Sequence, residues 1–104
     1  MHYFLKRKLI KEKERVIVGV GFEKSALMKR YSGQLDQKAQ EERREKVAKI
    51  RENKKPSKKE RIEVMELETK INEIEGVNQR LMKADHIIKE FTSIRDEIKL
   101  NLWK

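Results

Sequence analysis

The stretch RVIVGVGFEKS, residues 15–25, ends in the Lys-Ser pair that closes a phosphate-binding loop, and a β-branched run precedes it. Such a loop reads G-x-x-x-x-G-K-[ST] between a strand and a helix; its backbone N–H groups cradle phosphates and its lysine reaches them. Setting Lys24-Ser25 on that end puts Glu23 at the second glycine and Val18 at the first. A carboxylate beside a nest of N–H groups repels the ligand the nest is built for. The dinucleotide pattern G-x-G-x-x-G fails as well, because Lys24 stands where the third glycine belongs. No alternation of strands and helices follows, so nucleotide binding is rejected.

Other chemistry is thin. With no cysteine there is no disulfide, thiolate nucleophile or thiolate metal site. His2 and His86 are the only histidines; Glu90 lies four residues after His86, and two ligands on one helix do not make a metal centre. Carboxylates alternate with lysines, as they do on solvated helix faces. No nucleophile and base can be paired by spacing. The expectation is a non-enzymatic protein with no catalytic residues, no cofactor and no metal.

Basic residues are where the pattern points to a ligand. Lys6, Arg7, Lys8, Lys11, Lys13 and Arg15 form one cluster, and Lys24, Lys29 and Arg30 a second. Arg43, Arg44, Lys46, Lys49, Arg51, Lys54 and Lys55 form a third. Clustered cations displace counterions from phosphates and give affinity that falls steeply with salt. Tyr3, Phe4, Phe22 and Tyr31 lie among them, where a ring can stack on a base or pack in a core. No base-reading motif accompanies them.

The charge is also segregated. Residues 1–56 carry 17 Lys/Arg and 8 Asp/Glu, which is the whole net charge of +9, whereas residues 57–104 carry ten of each. A basic half suits an anionic surface such as nucleic acid, and a neutral periodic half suits pairing with helices. The longest apolar run, residues 16–22, is too short for a membrane span and wrongly placed for a signal peptide. A soluble, intracellular protein with no membrane partner is expected.

Positioning these residues falls to helices, since charged residues make 43% of a chain that holds one proline and four glycines. Residues 1–14 put Phe4, Leu5, Leu9 and Ile10 near one side of a short helix, and residues 15–22 read as a short strand through β-branching. A lone strand needs a partner. From Glu23 to Lys55 a basic, mostly solvated helix is expected, its apolar residues stepping by four, with Ser32-Gly33 interrupting its first turns.

"NKKPSKKE" is the sharpest local signal. Pro56 pushes Lys55 out of the α region, Ser57 fits an N-cap, and Glu60 three residues on closes a capping box. A long helix then runs from Ser57 to about Leu102. Its apolar seam is Val64, Leu67, Ile71, Ile74, Val77, Leu81, Ala84, Ile88, Phe91, Ile94 and Ile98, with steps of three and four typical of a coiled coil. Residues 54–75, KKPSKKERIEVMELETKINEIE, resemble the helical C-terminal extension of ABC-F translation ATPases in a capping box followed by heptads. Many unrelated helices share those features, and no family is assigned from them.

The fold expected is therefore mainly all-α: an elongated helical hairpin or coiled coil with a short N-terminal strand-like segment. The domains are residues 1–22, 23–55 and 57–102. The 23–55 helix offers too few apolar residues to cover the seam, so the seam is expected to serve a homodimer or a protein partner. Function follows as association with RNA, DNA or a nucleoprotein through the basic half. The alternative is an adaptor subunit whose basic half meets an acidic protein surface.

Overall fold

Residues 15–22, expected as a strand, are helical. In a computed structural model of the chain, which describes residues 2–102 apart from the side chain of His2, α1 runs unbroken through them from His2 to Arg30. The helix α2 spans Gln37–Glu52 and α3 spans Lys58–Asn101, with no strand among the described residues. The protein is all-α.

A seven-residue repeat along α1 explains the correction. Lys6, Ile10, Lys13, Ile17, Val20, Lys24 and Leu27 follow one another by steps of four and three, and each is buried or half-buried. In a helix that spacing places all seven on one face. Their shared burial outweighs the few tenths of a kcal/mol that each Val or Ile costs in a helix. Three of the seven are lysines, which lay their stems along apolar surface and carry their charge to its edge.

The chain forms two units, one of residues 1–29 with 80–104 and one of residues 30–79. In the first, α1 runs antiparallel to the second half of α3. Lys6 Nζ donates to the Asn101 carbonyl at 2.9 Å, and Lys99 pairs with Glu14 at 3.6 Å. Lys13 Nζ stands 4.6 Å from the centre of the Phe91 ring, and Lys24 pairs with Asp85 at 2.5 Å. Ile10 and Ala84 are buried there.

The second unit is a helical hairpin of α2 and the first half of α3. Its entry is the turn at residues 31–34, where Gly33 adopts φ +77° and Gln34 N–H donates to the Tyr31 carbonyl at 2.9 Å. The helix expected over 23–55 is therefore two helices. Asp36 caps α2 by accepting from Lys38 N–H at 3.2 Å. At the other turn, Ser57 Oγ accepts from Glu60 N–H at 3.2 Å, as the expected cap requires. The reciprocal arm differs: the Glu60 carboxylate accepts from the Ser57 hydroxyl at 3.3 Å. Val47, Ile71, Ile74 and Val77 form this unit's core, with Ile74 fully buried.

Every residue of the α3 seam is buried or half-buried: Val64, Leu67, Ile71, Ile74 and Val77 in the hairpin, Leu81, Ala84, Ile88, Phe91, Ile94 and Ile98 beside α1. The expected shortage of cover within the chain is thus corrected. The cover that looked missing comes from α1, whose lysine-bearing stripe does not read as apolar.

Candidate nucleic-acid interface

Folding divides the three basic clusters by direction. From the first two, Lys6, Lys13 and Lys24 turn inward onto α3 and hold Asn101, Phe91 and Asp85. Arg7, Lys8, Lys11, Arg15 and Lys29 stay exposed. The Arg7 guanidinium lies 5.7 Å from the centre of the Tyr3 ring, a cation–π distance. Arg30, exposed at the end of α1, is the first residue of the second unit and stands 5.6 Å from the ring of its neighbour Tyr31.

Much of the third cluster is spent inside the hairpin. Arg44 pairs with Glu75 and Arg51 with Glu68, each bridging α2 to α3. Arg43 is half-buried and donates to Gln40 Oε1 at 2.6 Å. Lys46 and Lys49 are exposed, but helical spacing sets them among Glu41, Glu42, Glu45 and Glu52, so that face carries both signs. Lys54 and Lys55 are exposed in the connection between α2 and α3.

One face of α1 remains as a concentrated positive surface. Phe4, Lys8, Lys11, Arg15, Val18, Phe22, Ser25 and Lys29 follow at steps of four, three, four, three, four, three and four. All eight are exposed, and Arg7 lies at the edge of the same face. No carboxylate interrupts it: Glu12 and Glu23 project from a flank, and Glu14 points to Lys99. Phe4 is 76% exposed and Phe22 72%, so both rings stand in solvent between cations. At 1.5 Å per residue they are about 27 Å apart.

Phe4 and Phe22 were legible as stacking candidates; Val18 was not, because a strand reading sends alternate residues to opposite sides. The signal was the period itself, which continues unchanged from Phe4 through Val18 to Lys29.

The remaining candidates acquire no chemistry. His86 is exposed, with Nε2 3.6 Å from the Glu90 carboxylate, and the side chain of His2 lies outside the described residues. Among the described residues no three His, Cys, Asp or Glu side chains gather as a metal site, and no helix is long and apolar enough to cross a membrane. No family model matches the chain, and no curated protein or solved structure matches it either.

Proposed function

We propose that this protein is a non-enzymatic, intracellular factor that associates with nucleic acid or a nucleoprotein through the outer face of α1. The observation that carries the reading is the acid-free exposed row on α1, with Arg7, Lys8, Lys11, Arg15 and Lys29 as its cations. Such a row follows a phosphate backbone, and release of the backbone's condensed counterions supplies the affinity. Phe4 and Phe22 offer ring faces to unpaired bases. No base-reading motif accompanies the row, so the binding proposed is governed by charge and strandedness rather than by sequence.

Anisotropy of a labelled oligonucleotide at low and rising salt tests this. Expected is a Kd on the order of micromolar at low salt and a log–log salt slope of about −4, corresponding to some five neutralised phosphates. Negligible affinity at low salt rejects the reading and leaves the adaptor function, in which the same face meets an acidic protein.

A further inference from the structure

A second face of α1 is apolar and leads into an open groove. Leu5, Leu9 and Val16 lie on one flank, 59%, 44% and 39% exposed. Val20 and Leu27 continue that flank at helical spacing and enter a groove of about 500 Å³ against Ala84 and Ile87 of α3. Exposed leucines running into an open groove between two antiparallel helices leave a layer that is half of a helical bundle.

The walls of the groove say what fits it. On the α1 side stand Glu23 and Lys24, the lysine already paired with Asp85 at 2.5 Å; on the α3 side stand Arg80 and Lys83. Glu23, Arg80 and Lys83 are exposed, and none of these three is ion-paired among the described residues. One wall is thus acidic, the other basic, and the floor apolar. That surface complements itself: a two-fold axis over the groove sets the Glu23 of each copy against the Arg80 and Lys83 of the other. An acidic partner would meet Glu23 unfavourably, and a basic one would meet Arg80 and Lys83.

We infer that the groove takes a second copy of this chain, giving a two-fold dimer with four helices around the joined flanks. The dimer uses the flank of α1 and leaves the basic outer row free. It is independent of nucleic-acid binding and stands or falls by itself.

Sedimentation equilibrium of the full chain tests it. Expected is a dimer mass at about 100 µM, a concentration that populates a dimer of micromolar Kd. Glu23→Lys should raise the dissociation constant about tenfold or more, since it places like charges together across the axis. Adding Arg80→Glu and Lys83→Glu to Glu23→Lys reverses both walls and should restore the dimer. Circular dichroism monitors the fold of each variant, all of whose changes are on exposed side chains. A monomer at that concentration overturns the inference. So does a dimer indifferent to Glu23→Lys, a failure of the reversed walls to restore association, or a dimer dissociated by Val18→Gln on the outer row.

Discussion

The side chain of Gln40 donates a hydrogen bond from α2 to the backbone carbonyl of Ile71 on α3, at 3.1 Å. Gln40 is 4% exposed, and its own oxygen accepts from Arg43 at 2.6 Å. A carbonyl has a second lone pair, so Ile71 keeps its helical bond while receiving this one. The contact ties two helices at one register, amid an otherwise apolar core. Gln40→Ala should destabilise the hairpin by about 1–3 kcal/mol, the cost of an emptied site and a lost buried bond. Urea unfolding followed by circular dichroism reads it; no change would mean the bond adds nothing over water.

The ion pairs that flank this contact should matter less. Arg44–Glu75 and Arg51–Glu68 cross between the same helices, but their side chains remain roughly half exposed. Water screens such pairs, and a double-mutant cycle on Arg44 and Glu75 should return less than about 1 kcal/mol. A larger coupling would shift the weight of the hairpin from its core to its rim.

Glycines should respond with opposite signs. Gly33 holds φ +77°, so Gly33→Ala forces a side chain into the left-handed region and should cost about 1 kcal/mol. Gly19 and Gly21 sit inside α1 with nothing within 4 Å of an added Cβ. Replacing either with alanine should therefore stabilise by about 0.5–1 kcal/mol. Thermal unfolding of the three variants separates the two effects. Destabilisation by Gly19→Ala would contradict a continuous α1, which is the point at which the strand expected from sequence and the observed helix part company.

Much of this fold was legible from residue order. The Pro56-Ser57-Glu60 punctuation marked the start of α3, and the seam from Val64 to Ile98 is buried or half-buried throughout. The first thirty residues misled for two physical reasons. β-Branched residues favour strands only weakly and join a helix when burial rewards it. Lysines at core-facing positions also hid the stripe, since Lys6, Lys13 and Lys24 look solvated until their stems are seen lying along α3. Charge counting likewise merged cations with different roles. It could not separate Arg44 and Arg51, spent on glutamates, from Lys11 and Arg15, which face solvent.

Exposed rings should discriminate between strands and duplexes. Phe4→Ala and Phe22→Ala should each weaken binding to an unpaired oligonucleotide by about 1–3 kcal/mol while changing duplex affinity little, because a duplex keeps its base faces stacked. Competition between oligo(dT) and a hairpin duplex measures the difference. Equal losses on both would assign the rings to packing rather than stacking.

The most direct test removes the same charge from two places. Lys8→Ala, Lys11→Ala and Arg15→Ala together take three cations from the outer row of α1; Lys38→Ala, Lys46→Ala and Lys49→Ala take three from the mixed face of α2. Oligonucleotide binding is then titrated against salt for both variants and the parent chain. If the α1 row is the interface, the first variant loses tenfold or more and its salt slope flattens by about three, while the second stays within about twofold of the parent. Equal losses in the two variants would show that affinity follows net charge alone, and the assignment of the interface to α1 would be wrong.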